Sequence, residues 1–156
     1  MTYLSYIETI GERCREAAKR RGKDTTCLGC VRYLVTELAE YWQAVDNDNF
    51  TPLDAVSELF SLRVRLSDEA FAKAYNEKIH NTSLDELADL YITSATYLEE
   101  FKSVYGDDIR PMRSIDELLI QGATDFVFSQ VGSRDEIDSL RKVLSMKMEY
   151  NELRKD

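Results

Sequence analysis

The sequence predicts an all-α fold, and three observations support this prediction. Only 2 prolines and 6 glycines interrupt the 156 residues, so few positions break a helix. Apolar side chains recur every three or four residues along most of the chain, which is the spacing of one helix face. No segment shows the alternation of apolar and polar residues that is typical of a strand. We therefore expect about five to seven helices, packed as a helical bundle in a single domain over residues 1–156.

The first two predicted helices lie on either side of a short loop. Residues 3–21 form the first helix, and Gly22 follows its basic last turn as a C-cap. A loop over residues 23–29 leads to the second helix over residues 30–46. Their apolar faces consist of Tyr3, Tyr6, Ile7, Ile10 and Cys14 in the first helix, and of Val31, Leu34, Val35, Leu38 and either Tyr41 or Trp42 in the second.

Cap residues mark the next three helices. Pro52 suits a first helical position, and the helix that it begins continues to about residue 66. Residues 67–79 form the next helix. Ser83 precedes a fifth helix as its N-cap, and Glu86 stands three residues further on, which is a capping-box pattern.

Two helices are predicted after the turn at Tyr105–Asp108. The first covers residues 115–131 and ends at Gly132. The last extends to about residue 152, and Ser133 and Glu136 form a second capping box at its start.

Composition limits the partners that the protein can have. The net charge of -9 would repel a nucleic-acid polymer, and a phosphate substrate should therefore arrive as a metal complex or meet local Lys and Arg side chains. No apolar run is long enough to cross a membrane, and the N-terminus has no signal-peptide pattern. Three cysteines do not suggest a secreted disulfide framework. We expect a cytoplasmic protein without a membrane partner.

Two acidic pairs are the most informative motif. Glu37 and Glu40 lie three residues apart, as do Glu86 and Asp89, and each pair is embedded in an apolar helix face. Four carboxylates inside a bundle repel one another, and a hard divalent cation such as Mg²⁺ or Mn²⁺ would remove that repulsion. Solvated helix faces, with Glu86 serving only as a cap partner, are an equally good interpretation of the pattern alone.

The wider sequence around these acids resembles a known family. Thr36-Glu-Leu-Ala-Glu-Tyr41 followed by Asp85-Glu-Leu-Ala-Asp-Leu90 is similar to the ExxE…ExxD signature of the MazG-like all-α nucleoside triphosphate pyrophosphohydrolases. Lys147-Met-Glu-Tyr-Asn-Glu-Leu-Arg154 resembles the trailing element of that family. The resemblance covers roughly residues 30–46, 71–101 and 140–155. The connection over residues 41–85 is longer than that of compact members.

This resemblance implies an enzyme that hydrolyses a nucleoside triphosphate, NTP or dNTP, to the monophosphate and pyrophosphate. It implies that Glu37, Glu40, Glu86 and Asp89 bind Mg²⁺, with Mn²⁺ possible. Glu37 or Glu40, or a hydroxide on the metal, would activate the water. It also implies a homodimer or a dimer-based tetramer.

Four further residues are candidate substrate ligands. Lys147, Asn151 and Arg154 share one helix face, where Lys and Arg could bind the triphosphate and Asn a sugar or phosphate oxygen. A solvated helix end is the alternative interpretation of these three. Trp42 follows the first acidic pair and could stack on a nucleobase, although core packing is the commoner role of such a side chain.

Two other classes of protein are compatible with parts of the pattern. A non-catalytic nucleotide-binding or protein-interaction module could keep the same fold and lack turnover. A di-iron carboxylate protein would use two Glu-x-x-His motifs, whereas this chain offers only Glu77 with His80.

Overall fold

The computed structural model describes residues 3–106 and 115–154, with the side chains of residues 3–6 excluded. Within these ranges the chain forms seven α-helices and no strand, which confirms the all-α prediction. The helices are α1 (Tyr3–Arg20), α2 (Cys27–Asp46), α3 (Leu53–Leu62), α4 (Asp68–Lys78), α5 (Ser83–Tyr105), α6 (Ile115–Ser129) and α7 (Arg134–Leu153). No helix in the described ranges is long and apolar enough to cross a membrane.

Helix α2 begins at Cys27, three residues before the predicted start, because local side chains cap it. Thr26 Oγ1 accepts a hydrogen bond from the Gly29 amide at 3.1 Å. Asp24 Oδ1 accepts in turn from the amide and hydroxyl of Thr26 at 3.0 and 2.7 Å. A Cβ atom on Gly29 would collide with the Asp24 carbonyl oxygen, so this cap requires glycine.

The helix predicted over residues 52–66 is shorter than expected. Pro52 is the N-cap and not the first helical residue, and α3 ends at Leu62, followed by a 3-10 turn over Arg63–Arg65. Arg63 explains this turn, because its guanidinium donates to Glu149 at 2.6 Å, to Asp68 at 2.8 Å and to a backbone carbonyl.

The ends of three other helices agree with the sequence. Gly22 has a φ of 73° after α1, and Ser133 caps α7 by accepting from the Glu136 amide at 3.1 Å. Gly106, with a φ of 91°, follows the end of α5. Asp107 and Asp108, the rest of the predicted turn, lie outside the described residues.

The chain divides into two compact units, and the single-domain expectation remains a prediction. The first unit contains the described parts of Met1–Thr36 and Leu90–Gln130. In it, Arg15 on α1 pairs with Glu100 on α5 at 2.7 Å. Its buried apolar side chains include Ile7, Ile10, Cys30, Leu34, Tyr97, Leu98, Ile120 and Val127.

The second unit contains Glu37–Asp89 and the described part of Val131–Lys155. In it, α7 packs against α3 and α4. The rings of Tyr75 and Tyr150 stack with centroids 4.8 Å apart. All eight residues predicted as catalytic, metal-binding or substrate-binding belong to this unit, so their geometry can be described within it.

Candidate metal centre

The second unit brings three of the four predicted metal ligands together. One carboxylate oxygen from each of Glu37, Glu40 and Glu86 lies within 4.8 Å of the others. Glu37 and Glu86 are only 6% and 5% exposed, whereas Glu40 is exposed. We call these three residues the acidic cluster. Such an arrangement requires a proton or a cation to offset the repulsion between its charges.

The Glu86 carboxyl is strongly perturbed, mainly by burial and by two carboxylates outside the acidic cluster. Burial, together with the charges of Asp89 and Asp85, raises the pKa of the Glu86 carboxyl to about 8, although Lys147 opposes the shift. A carboxyl with such a pKa holds its proton at neutral pH and would release it to a divalent cation. Three carboxylate oxygens also match the donor preference of Mg²⁺ and Mn²⁺, so the residues fit such an ion.

Hydrogen bonds from outside the helix fix the first turn of α5, which carries Glu86. The Leu84 amide donates to Thr51 Oγ1 at 2.8 Å, and the Thr51 and Thr82 hydroxyls lie 2.6 Å apart. Ser83 is the first residue of α5 and not its N-cap, so the capping box predicted there is wrong. The remote Thr51 does the capping instead, and the Glu86 side chain is part of the acidic cluster.

Asp85 is the centre of a buried polar network beside the acidic cluster. Its fully buried carboxylate accepts from Tyr75 Oη at 2.5 Å and from the Asn81 amide at 2.9 Å. His80 Nδ1 lies 3.2 Å away, and Lys147 Nζ lies 2.9 and 3.0 Å from the two carboxylate oxygens. Burial alone would raise the pKa of Asp85, but Lys147 and these hydrogen bonds outweigh it and lower the pKa to about 2.

Lys147 joins this network to the fourth predicted ligand. Its side chain is 1% exposed, and Nζ lies 2.9 Å from Asp89 Oδ2. Burial lowers the pKa of Lys147, but the charges of Asp89 and Asp85 exceed that effect and raise the pKa above its usual value. The structure thus places Asp89 against a protein cation and not within the group of three oxygens that forms the acidic cluster.

A polar cavity of about 330 Å³ adjoins the acidic cluster. Two members of the cluster, Glu40 and Glu86, form part of its wall. Its other lining residues are Gln43, Ala44, Asn47, Asn49 and Asn81. A bound molecule in this cavity would therefore meet both carboxylic acids and carboxamides.

The predicted substrate ligands lie in different environments. Lys147 has its ammonium group engaged by Asp85 and Asp89. Asn151 is buried, and its Oδ1 has no hydrogen-bond partner among the described residues. The Arg154 guanidinium lies over the Tyr150 ring, 5.3 Å from its centroid. Trp42 is 45% exposed and is not among the residues that line the cavity.

Several residues of the site were missed by sequence reasoning. Asp85 directly precedes the second acidic pair, and His80 and Tyr75 lie on the approach to it, which was the available signal for the network. Nothing local to Asn47 or Asn81 indicated a cavity, because the two are brought together by pairing between distant loops.

The chain matches no protein-family model, no curated protein and no solved structure. The similarity to the MazG-like signature thus remains a prediction from the motifs.

Proposed function

We propose that the protein is a Mg²⁺-dependent nucleoside triphosphate pyrophosphohydrolase. The observation that carries the proposal is the convergence of Glu37, Glu40 and Glu86 within 4.8 Å. The adjoining cavity of about 330 Å³ lies within the size range of small-molecule sites. The order of the motifs along the chain supports the same reaction.

The roles of the three acids follow from their exposure. All three would bind Mg²⁺, or Mn²⁺, which when bound supplies positive charge against the triphosphate. Glu37 and Glu86 are buried, so they are suited to a fixed ligand position. Glu40 is exposed and lines the cavity, so its second oxygen can accept the proton of a water molecule there. Attack by that water between the α and β phosphates yields the monophosphate and pyrophosphate.

A homodimer or dimer-based tetramer is part of the proposal. Leu38 and Trp42 expose apolar surface on α2, as a subunit contact would. Sedimentation of the purified protein would determine the state, and a monomer at all concentrations would contradict this part alone.

A pyrophosphate-release assay across NTPs and dNTPs with Mg²⁺ tests the reaction. Glu40→Gln keeps the shape of an exposed side chain and removes its charge, so we expect at least a roughly hundredfold loss of rate. Asp46→Asn is the matched control, because Asp46 is exposed on α2 outside the acidic cluster. Mg²⁺ binding by folded protein without turnover of any nucleotide would overturn the hydrolase and favour the non-catalytic nucleotide-binding module.

A further inference from the structure

The cavity beside the acidic cluster presents three carboxamide groups that are available to a ligand. Gln43, Asn47 and Asn81 line the cavity, and all three residues are exposed. None of these three side-chain amides hydrogen-bonds to another residue in the part of the chain that the structure describes. Each therefore keeps two N–H donors and one carbonyl acceptor. We call this set the carboxamide pocket.

The frame of the carboxamide pocket is held in place by a pairing between two loops. Asn49 Nδ2 donates to the Asn81 carbonyl at 2.7 Å, and the Ser83 amide donates to the Asn49 carbonyl at 3.0 Å. Asn81 itself has a φ of 64°, a left-handed conformation that asparagine tolerates better than most residues. These contacts fix the backbone on one side, while α2 carries Gln43 on the other.

The charges of the lining exclude a phosphate group from the carboxamide pocket. Among the described residues that line the cavity there is no Lys, Arg or His, and two lining residues are carboxylic acids, Glu40 and Glu86. A phosphate could approach only on the metal side, where a bound cation offsets those acids. The remaining wall suits an uncharged group with hydrogen-bond donors and acceptors side by side.

We propose that the carboxamide pocket binds the nucleobase of the substrate and that Gln43 and Asn47 set base preference. A carboxamide matches a base edge because both place a donor and an acceptor in one plane, as in the bidentate contacts of Asn and Gln with adenine. A nucleobase here leaves the triphosphate directed towards Glu37, Glu40 and Glu86. The identity of the ligand rests on the proposed function.

Uncharged nucleosides test this pocket independently of catalysis. Adenosine, guanosine, cytidine, uridine and free ribose would be titrated into the ¹⁵N-labelled protein without Mg²⁺. We expect saturable shifts of the Gln43 and Asn47 side-chain NH₂ signals with at least one nucleoside and none with ribose. Gln43→Ala and Asn47→Ala should each weaken the affinity of the protein for that nucleoside roughly fivefold to tenfold. Asp46 is exposed and lies outside the cavity lining, so Asp46→Ala should leave the affinity for the nucleoside unchanged.

The outcomes separate this inference from the proposed function. Equal shifts with ribose would overturn the base site in favour of a sugar site. If nucleotides are hydrolysed but no nucleoside shifts these signals, and neither variant alters the ranking of NTPs by kcat/KM, the carboxamide pocket is not the base site although the hydrolase stands. Nucleoside binding that is lost in both variants, in a protein without turnover, would support the pocket and remove the enzyme.

Discussion

The ammonium group of Lys147 lies 2.9 Å from Asp89 Oδ2, so the acid predicted as the fourth metal ligand is paired with a buried protein cation. The same ammonium contacts both oxygens of Asp85. Lys147, on α7, thus forms ion pairs with two residues of α5, Asp85 and Asp89, which lie on either side of Glu86 in the sequence. The buried charge of Lys147 is therefore balanced by two carboxylates next to the acidic cluster.

Asp89→Asn should therefore change metal affinity little. The substitution leaves Lys147 paired with Asp85 and removes no oxygen from the acidic cluster. We expect the Mn²⁺ dissociation constant, measured by calorimetry, to change by less than about threefold, whereas Glu86→Gln should weaken binding more than roughly tenfold. An Asp89→Asn effect as large as that of Glu86→Gln would place Asp89 among the metal ligands.

Lys147→Met should destabilise the protein strongly. It leaves the fully buried Asp85 without its cation, and breaking a buried ion pair from one side costs about 3–5 kcal/mol. Lys142→Met on the same helix is the control, because Lys142 pairs with an exposed Asp138 at 3.1 Å and should cost less than about 1 kcal/mol. Urea unfolding measures both free energies, and similar values for the two variants would contradict a structural role for the buried pair.

Metal binding should depend on pH through Glu86. Its pKa is raised from 4.5 to about 8, so the metal-free protein keeps a proton there that Mg²⁺ must displace. Between pH 6 and 8 we expect Mg²⁺ affinity to rise by up to about tenfold per pH unit, with nearly one proton released per ion. Calorimetry in buffers of different ionisation enthalpy counts that proton. Release should disappear in Glu86→Gln, and a pH-independent affinity in the unmodified protein would refute the assignment.

The same shift predicts how stability varies with pH without metal. Because the folded-state pKa of Glu86 lies above its unfolded value, its contribution to stability is complete below about pH 4.5 and is lost as the pH rises towards about 8. Asp85 acts in the opposite sense, because its folded-state pKa is lowered from 3.8 to about 2. Its contribution to stability is complete above about pH 3.8 and is lost as the pH falls through about 2. Thermal unfolding in EDTA should show Glu86→Gln gaining stability relative to the unmodified protein at pH 8 and not at pH 4.

The fold was largely predictable from the sequence, because its signals are local. Gly22 and Ser133 end and begin helices through contacts within a few residues, and these were read correctly. The helix ends were predicted wrongly where a residue distant in sequence determines them. Arg63 turns the chain by bonding to Glu149, and Thr51 caps α5 from another loop. Neither contact can be predicted from the residues near Arg63 or near the start of α5.

In the candidate site, too, local spacing was predictable and long-range contacts were not. The spacing of Glu37 and Glu40 fixed their shared helix face, and Glu86 joins them as expected. The partner of Asp89 could not be predicted, because Lys147 lies 58 positions further along the chain and its helix face suggested substrate binding as readily as an internal ion pair. Only packing distinguishes these two roles.

Trp42 and Gln43 offer a test of base recognition at neighbouring positions of α2. Trp42 was predicted to stack on a base, yet it lies outside the cavity lining, and its ring centroid is 5.3 Å from that of Tyr41. Gln43 lines the cavity. We expect Trp42→Ala to change the KM for nucleotide by less than about twofold and Gln43→Ala to raise it roughly fivefold. The reverse ranking, with quenching of Trp42 fluorescence by nucleotide, would show that the base stacks on the outer face of α2 and that the carboxamide pocket has another ligand.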